Sequence, residues 1–276
     1  MEGMNSDMEE RMRADAALKA RGLAASRERA QALIAAGLAA VNGRPIEKPA
    51  QKVGPEDVLT VLGDVHPYVG RGGLKLEKAL QCFGIDPSGR VCMDIGASTG
   101  GFTDVLLRSG AAHVYAIDVG AGQLDPSLAS DPRVTSMERV NARALTAAMF
   151  PRRPTLAVMD VSFISIRLIL PAALAVLGEA GRLVSLVKPQ FEAGRDRVGK
   201  GGVVSSPKAP AQVLREIVDF APTLGWRVRA VDFSPIAGGS GNLEFLADCL
   251  PGEVSKGQVS EADIERAVRQ AHQMLK

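Results

Sequence analysis

Asp94-Ile-Gly-Ala-Ser-Thr-Gly-Gly-Phe-Thr-Asp104 joins a short apolar run, Val91 to Ile95, to a helical stretch, Phe102 to Arg108. A strand that passes through a glycine-rich turn into a helix is typical of a βαβ unit. The glycines lie at 96, 100 and 101 and lack the G-x-G-x-x-G spacing of dinucleotide-binding loops, which disfavours a bound pyrophosphate. Small residues here still let a ligand approach the backbone closely.

Beyond this loop, apolar runs continue to alternate with helical patterns. Strands are predicted at 112–117, 155–161, 181–187, 226–233 and 242–249. Helices are predicted at 164–177, 209–220 and 260–275. Strands separated by helices of this length form parallel βαβ units. The sequence therefore predicts an α/β fold with a doubly wound, mostly parallel, Rossmann-like sheet.

Asp118 ends the strand that follows the glycine loop, 24 residues after Asp94. In a doubly wound sheet, ligands bind beyond the carboxyl ends of the strands, and an acidic residue there accepts hydrogen bonds from ribose hydroxyls. A small-residue loop with this acid, and without the phosphate-binding spacing, favours S-adenosylmethionine as the ligand. A tight βα turn that binds no ligand remains the alternative at this point.

The amino-terminal part of the chain carries a separate, basic pattern. Helices are predicted at 13–21 and 27–36, a hairpin around Asn42-Gly43 at 40–46, and a strand at 58–62. Residues 11–52 hold nine lysines and arginines but three acidic residues, whereas the whole chain has a net charge of only +2. A local basic patch is the usual footprint of a phosphate-backbone partner. A solvated charged face on a small helical module is the alternative.

Composition limits the class of protein. The chain has 276 residues, of which 46% are hydrophobic and 23% charged, so it is predicted to be globular. The longest uncharged stretch, 30–43, is too short for a membrane span, and the first thirty residues lack a signal-peptide core, so we expect a cytoplasmic protein without membrane contact. Three cysteines and three histidines are widely scattered, so neither a disulfide framework nor a metal site is predicted.

Two lysines and two carboxylates are predicted to lie at or near the functional edge of this sheet. Lys188 and Asp160 follow apolar strands, Glu244 lies early in the predicted strand at 242–249, and Lys75 lies at the entrance to the large domain. Desolvating a lysine is costly without a partner. The charges of two lysines and two carboxylates can balance one another, and one of the lysines can lose its proton near neutral pH. Ordinary structural ion pairs remain the alternative.

Four short motifs in the basic part resemble the S4 RNA-binding domain over about 50 residues. They are R-x-D-x-x-L at 13–18, G-L-A-x-S-R at 22–27, L-I-x-x-G at 33–37 and V-N-G at 41–43. The resemblance implies a small α+β domain that binds structured RNA. The residues we expect to contact RNA are Arg13, Ser26, Arg27, Asn42, Lys48 and, at the entrance to the large domain, Arg71.

Four further motifs resemble the TlyA family, in which an S4 domain precedes an FtsJ-like methyltransferase domain. They are R-G-G-x-K-L at 71–76, M-D-V-S-F-I-S at 159–165, V-K-P-Q-F-E at 187–192 and G-N-x-E-F at 241–245. Family members are called haemolysins by history and ribosomal RNA cytidine 2′-O-methyltransferases by activity. The resemblance implies the same activity here, with S-adenosylmethionine as cofactor and ribosomal RNA or ribosomal subunits as partners.

The resemblance also implies residue roles. The K-D-K-E tetrad of FtsJ-like enzymes matches Lys75, Asp160, Lys188 and Glu244. A ribose hydroxyl is a poor nucleophile and needs a general base, for which we expect Lys188. The expected cofactor-binding residues are Asp94, Gly96, Ala97, Ser98, Gly100, Gly101, Phe102, Asp118, Asn141 and Asp160.

Domain boundaries follow from these assignments. We expect a leader at 1–10, an S4-like domain at 11–63, a linker at 64–74 and a methyltransferase domain at 75–276. No obligate protein partner is evident. Three other functions stay open from the sequence: a nicotinamide-dependent oxidoreductase, a pore-forming haemolysin, and a ribosome-binding factor that holds the cofactor without turnover.

Overall fold

The computed structural model divides the chain into two compact units, Met1–Pro67 and Tyr68–Lys276. The residues described are 11–35, 37–61, 67–194, 206–238 and 241–275. The expected leader, 1–10, and part of the expected linker, 64–66, lie outside them. The remainder of that linker differs from the expectation, because residues 68–74 belong to the second unit and a helix begins there at Gly72.

The first unit is a small α+β module. Its elements are β1 (Met12–Arg13), α1 (Ala14–Ala20), α2 (Arg27–Ala35), β2 (Ala39–Val41), β3 (Arg44–Pro45), β4 (Lys52–Val53) and β5 (Leu59–Val61). An antiparallel sheet has the order β3-β2-β5, and β1 pairs with β4. The predicted hairpin turn is confirmed, since Asn42 and Gly43 have φ values of 50° and 77°, which a two-residue turn of this type requires.

Both helices of this unit pack on the sheet through one apolar face. Leu18 from α1, and Leu33 and Ile34 from α2, are buried with Ile46 and Val53. Leu33 and Ile34 follow Ala30 at helical spacing, which explains why this side of α2 is buried. The predicted last residue of α2, Ala36, lies outside the described residues.

The second unit is built around a seven-stranded sheet. Its strands are β6 (Val91–Ile95), β7 (His113–Ile117), β8 (Val134–Met137), β9 (Leu156–Met159), β10 (Arg182–Val187), β11 (Trp226–Phe233) and β12 (Phe245–Pro251). Its helices are α3 (Gly72–Phe83), α4 (Gly101–Arg108), α5 (Pro126–Ala129), α6 (Leu170–Leu177), α7 (Pro189–Glu192), α8 (Ala209–Phe220) and α9 (Glu261–Leu275).

The order of the strands is β11-β12-β10-β9-β6-β7-β8. The chain runs outward from β6 through β7 to β8, then crosses back to β9 on the other side of β6. The carboxyl ends of β6 and β9 therefore flank the switch point where ligands bind in such sheets. Among the described strands of this sheet, β12 alone runs antiparallel to both neighbours. The predicted α/β, mostly parallel fold is confirmed.

Helices cover both faces of the sheet, which explains the nearly continuous apolar strands. Successive strand residues enter opposite cores: Met93 packs in the core that contains α6, α8 and α9, and Cys92 in the core that contains α3 and α4. Met159 and Val158 divide in the same way. This alternation fixes which side of the sheet each helix occupies.

The structure holds several elements that were not predicted, and three differences concern the large sheet and the position of the site residues. The short strand β8 was not predicted, because it is largely exposed at the sheet edge and has few apolar residues. Helix α3 was not predicted, because its two initial glycines read as a turn. Strand β12 begins at Phe245, so Glu244 precedes the strand, whereas the sequence placed it inside.

The carboxyl end of α3 is fixed to the sheet by a buried carboxylate. Asp248 of β12 accepts hydrogen bonds from Arg182 Nε at 2.8 Å and from Arg229 Nε at 2.6 Å. Both arginines also donate to the carbonyl oxygen of Phe83, the last residue of α3, at 2.8 Å. These charge-assisted bonds hold α3 against β10, β11 and β12, and thereby position the residues in its first turn.

Candidate active site

Two of the predicted charged residues meet because they follow neighbouring parallel strands. Asp160 comes directly after β9 and Lys188 directly after β10. Carboxyl ends of parallel strands lie at the same edge of a sheet. Lys188 Nζ lies 2.5 Å from Asp160 Oδ1, so the two side chains form a close ion pair.

Lys75 and Glu244 extend this pair into a row of four charged side chains. Lys75, in the first turn of α3, places Nζ 3.5 Å from Asp160 Oδ2 and 2.6 Å from Glu244 Oε2. Glu244 reaches this edge because β12 is antiparallel, so that its start lies beside the end of β10. We call Glu244, Lys75, Asp160 and Lys188 the charged row.

The charged row is largely withdrawn from water. Lys75, Lys188 and Glu244 are buried, and Asp160 is partly buried. Burying an unpaired charge is costly, but here positive and negative groups alternate and their formal charges cancel. The structure thus brings together all four residues that the sequence singled out for catalysis.

The glycine loop packs directly against the Asp160 segment. Gly96 has φ +83°, and a Cβ on it would lie 2.4 Å from the carbonyl oxygen of Asp160. Gly100 has φ +97°, and a Cβ on it would meet the side chain of Leu128 at 2.3 Å. Neither position can accept a larger residue without movement of the backbone or of its neighbour. The loop therefore keeps the ends of β6 and β9 in close contact.

Asp118 is held in a fixed orientation at the end of β7. Its Oδ2 accepts a hydrogen bond from the backbone N–H of Ser98 at 2.8 Å, and its Oδ1 from that of Gly120 at 2.7 Å. Ser98 has φ +49°, a left-handed conformation that is uncommon outside glycine. Each carboxylate oxygen keeps a further acceptor position, which suits the two hydroxyls of a ribose.

An open cleft of about 570 Å³ lies over the ends of β6, β7 and β9. Five of the predicted cofactor residues line it: Gly96, Ser98, Asp118, Asn141 and Asp160. Apolar side chains supply much of the remaining wall, among them Ile117, Val119 and Val140. A cleft of this size with few convergent polar groups is typical of a small-molecule site.

The other predicted cofactor residues do not line this cleft. Phe102 is buried in the core under α3 and α4, although the sequence suggested an aromatic facing the cofactor. Gly100 and Gly101 shape the loop and the start of α4, and Ala97 lines a small neighbouring pocket with Asp118. These residues form the support of the cleft.

Asp94 lies beneath the glycine loop and is completely buried. Its Oδ2 accepts a hydrogen bond from Thr103 Oγ1 at 2.7 Å, and its Oδ1 is buried without a hydrogen-bond partner. Burial raises the pKa of Asp94 to about 7, and the nearby carboxylates of Asp160 and Asp118 act in the same direction. The side chain therefore does not reach the cleft surface.

Asn141 lies on the cleft wall at the start of a short 3₁₀ turn, Ala142–Ala144. Its side-chain oxygen accepts the backbone N–H of Arg143 at 3.1 Å. This cap fixes the amide and leaves its NH₂ group as a donor at the wall.

Phe163 lies within the motif at 159–165, and the sequence alone indicates no role for it. It has φ +64°, a strained conformation for a bulky residue, and is 91% exposed on the cleft wall. Its ring centroid lies 5.1 Å from that of Phe191. Such strain clusters at functional sites, and an exposed ring here offers a flat apolar surface beside the charged row.

In the first unit, Arg13 and Arg27, which we expect to contact RNA, are both paired with Asp15. Arg13 Nε lies 3.0 Å from Asp15 Oδ1, and Arg27 Nη2 lies 3.2 Å from Asp15 Oδ2. Gln31 also donates to Asp15 Oδ2, at 2.8 Å. The Arg13 guanidinium, with smaller contributions from Gln31 and Arg27, lowers the pKa of the Asp15 carboxyl. The arginine side chains remain 43% and 49% exposed, so their outer faces stay accessible.

The remaining predicted RNA contacts have mixed positions. Lys48 is exposed, whereas Ser26 caps α2 by accepting the N–H of Arg29 at 3.1 Å. Asn42 donates to Asp57 Oδ1 and accepts the N–H of Val58, both at 2.8 Å, so its side chain also has a structural role. Arg71 belongs to the second unit and donates to the carbonyl of Ala237 at 3.1 Å.

Two further features of the structure concern metal binding and membrane crossing. Over the part of the chain that the structure describes, no group of three or more His, Cys, Asp or Glu side chains is placed to hold a metal ion. In the same part, every helix is too short or too polar to cross a membrane.

Comparison with known proteins agrees with this architecture. The FtsJ-like methyltransferase model matches residues 68–248, and the S4 domain model matches residues 12–59. A solved structure from Streptococcus thermophilus is 44% identical, covers 96% of both chains and superposes with a TM-score of 0.78.

Curated relatives carry two kinds of name. The 16S/23S rRNA (cytidine-2′-O)-methyltransferase TlyA of Mycobacterium tuberculosis is 48% identical over 87% of this chain and 90% of its own. A Brachyspira hyodysenteriae protein named Hemolysin A is 42% identical over 86% and 98%. With both domain models matched in order along the sequence, the chain belongs to the TlyA family of FtsJ-like methyltransferases that carry an S4 domain.

Proposed function

We propose that this protein methylates the ribose 2′-hydroxyl of cytidine in ribosomal RNA, with S-adenosylmethionine as the methyl donor. The observation that carries the proposal is the charged row at the edge of the cleft. It offers a buried lysine, Lys188, within reach of the place where a nucleoside bound at the cleft mouth would present its hydroxyl. The activity of the relative from Mycobacterium tuberculosis supports the same reaction.

The cleft suits this cofactor in size and in chemistry. Asp118 keeps an acceptor position on each oxygen for the two ribose hydroxyls, and Asn141 offers an amide donor for the adenine edge. Ile117, Val119 and Val140 provide an apolar wall for the adenine ring. Gly96 and Ser98 line the same cleft. When bound, S-adenosylmethionine supplies an electrophilic methyl group on a sulfonium.

In the proposed reaction, Lys188 acts as the general base. Its nitrogen accepts the proton of the 2′-hydroxyl while the 2′-oxygen forms a bond to the methyl carbon, whose bond to sulfur breaks. Asp160 orients Lys188 through the 2.5 Å contact, and Lys75 with Glu244 balances the charge of Asp160. The sulfur leaves as the neutral thioether of S-adenosylhomocysteine.

The basic first unit has a different task in this proposal. Arg13 and Arg27 present their exposed faces to phosphate groups of the RNA, and Lys48 adds a further positive charge. Phosphate contacts supply affinity and orientation without chemistry. The unit therefore captures the substrate, whereas methyl transfer depends on the second unit.

The test is methyl transfer in vitro. The full chain is incubated with S-adenosylmethionine carrying a labelled methyl group and with unmethylated small or large ribosomal subunits, and the modified nucleoside is identified by mass spectrometry after digestion. We expect 2′-O-methylcytidine in ribosomal RNA. Label on a base, on protein, or on nothing contradicts the proposal.

A matched pair of variants ties the activity to the charged row. Lys75 and Lys78 both lie on α3, but Lys78 contacts Asp232 at 3.2 Å, outside the charged row. Lys75→Ala should abolish transfer, and Lys78→Ala should keep it. If Lys75→Ala were as active as Lys78→Ala, the charged row would have no part in the mechanism.

A further inference from the structure

Two chain segments meet beside the charged row, and each carries a motif residue that the mechanism has not used. The first segment, 160–167, follows β9, and the second, 188–193, follows β10. They are joined at one end by a hydrogen bond from Lys188 Nζ to Ser162 Oγ of 3.0 Å. At the other end, Glu192 accepts Ser165 Oγ–H at 2.6 Å and the N–H of Ile166 at 2.7 Å.

Two oxygens flank the nitrogen of Lys188, which must be neutral when it acts as the base in the proposed reaction. A deprotonated lysine nitrogen has two N–H donors and one lone pair. Ser162 Oγ accepts a hydrogen bond from Nζ at 3.0 Å, and Asp160 Oδ1 is the ion-pair partner of Nζ at 2.5 Å. The lone pair of the neutral amine is then the position that these two oxygens do not occupy. Asp160 and Ser162 both line the cleft, so the nitrogen that contacts them lies close to it.

The position of Ser162 depends in turn on Glu192. Glu192 is buried, and burial raises the pKa of its carboxyl. It nevertheless accepts two hydrogen bonds from the Ser162 segment, and Arg167 Nη2 donates to its backbone carbonyl at 3.3 Å. A buried acceptor with this many local donors ties one loop to the other.

We infer that Ser162 is a positioning residue that directs the lone pair of Lys188 toward the substrate, and that Glu192 holds the segment that carries Ser162. The inference rests on the proposed methyl transfer and deepens it. It gives a function to Ser162 in the 159–165 motif and to Glu192 in the 187–192 motif.

The test compares three serine variants of the full chain in steady-state methyl transfer to ribosomal subunits. Ser162→Ala removes the acceptor and should lower kcat by about 10- to 100-fold, since small misplacements of a reacting group cost this much. The KM values for S-adenosylmethionine and RNA should stay within about twofold of wild type, because the inference assigns the Ser162 hydroxyl to Lys188 and not to a ligand. Ser162→Thr keeps the hydroxyl and should restore most of kcat. Ser88→Ala, an exposed serine away from the cleft, is the matched control.

Crystal structures of Ser162→Ala and Ser162→Thr test the positioning without catalysis. We expect Lys188 Nζ to move by about 1 Å or more in the alanine variant and to keep its place in the threonine variant. An alanine variant with wild-type kcat overturns the inference. A lost kcat with Nζ unmoved also overturns it, because the serine would then act on the substrate itself. If the wild-type protein transfers no methyl group to RNA, the proposed function fails, while the two structures still decide whether Ser162 positions Lys188.

Glu192 is tested in the same assay. Glu192→Gln keeps an oxygen for the N–H of Ile166, whereas Glu192→Ala keeps none. We expect kcat to fall in the order wild type, Gln, Ala at nearly constant KM. Equal loss in the two variants, or a loss confined to the KM for RNA, contradicts the supporting role of Glu192.

Discussion

Lys188 and Lys75 contact opposite oxygens of one carboxylate, that of Asp160, at 2.5 Å and 3.5 Å. The shared anion binds Lys188 more closely, while Lys75 has a nearer partner of its own in Glu244 at 2.6 Å. The two lysines therefore have unequal surroundings although they belong to one cluster. This inequality supports different roles, with Lys188 acting on the substrate and Lys75 balancing charge.

The first prediction concerns Lys188. Lys188→Ala should lower methyl transfer by at least about 10²- to 10⁴-fold, because general-base catalysis contributes roughly this much. Binding of S-adenosylmethionine, measured by calorimetry, should be nearly unchanged, since the base acts in the transition state. Lys188→Arg should be no better, because a guanidinium stays protonated. An arginine variant that methylates near the wild-type rate means that another group takes the proton.

The second prediction concerns Asp118. Asp118→Ala should weaken the binding of S-adenosylmethionine by about 1.5 to 3 kcal/mol, because charged hydrogen bonds to the ribose are lost. Isothermal titration calorimetry provides the measurement. Asp86→Ala, which removes an exposed carboxylate elsewhere in the second unit, serves as control. Equal affinity in the Asp118 variant and the wild type places the ribose elsewhere.

The third prediction concerns the arginine pair on Asp15. Arg13→Gln with Arg27→Gln keeps a donor for each carboxylate oxygen, so the buried Asp15 is not left without partners. The double variant should raise the KM for ribosomal RNA and reduce the slope of log affinity against log salt by up to about 2, since two phosphate contacts are removed. Filter binding at several salt concentrations measures the slope, with Arg133→Gln in the second unit as control. An unchanged slope excludes these arginines from phosphate binding.

The fourth prediction concerns the pH dependence of stability. The pKa of Asp94 is raised from 3.8 to about 7 in the folded protein. Between these values the folded state binds a proton that the unfolded state has lost, so this group lowers stability as pH rises from about 4 to 7. Asp94→Asn should remove that penalty, which is on the order of 4 kcal/mol by pH 8.

The measurement is the difference in unfolding free energy between Asp94→Asn and wild type, by chemical denaturation at pH 5 and pH 8. We expect the advantage of the asparagine variant to be larger at pH 8. A difference that is the same at both pH values shows that Asp94 titrates normally. A structure of the variant serves as control that the glycine loop is unchanged.

The sequence predicted the residues at strand ends well. Asp160 and Lys188 follow apolar runs in βαβ units, and the parallel arrangement of such units brings the ends of neighbouring strands together whatever the details of packing. Asp118 and the glycine loop were recognisable for the same reason. In these cases the local pattern and the fold class together determine the position.

Contacts between segments distant in sequence could not be predicted. The pairing of Arg27 with Asp15 depends on how α1 and α2 pack, whereas Arg13 pairs with Asp15 locally, two residues away. The local sequence around Phe102 does not distinguish a ring that faces the cleft from one that faces the core. Ser162 and Glu192 acquire their roles only where two loops meet, and nothing in either motif alone reveals the partner.

The reversed direction of β12 has a consequence for how such a site can arise. Glu244 stands immediately before this seven-residue strand. With a rise of about 3.3 Å per residue, a strand of the same length running the other way would carry this glutamate about 20 Å off, to the far edge of the sheet. Lys75 would then lose its nearest counter-ion, while the apolar core could remain much the same. If the sheet were redesigned to be fully parallel, the negative charge of Glu244 would have to come from a loop that follows a strand. Asp160 and Lys188 already lie in such loops.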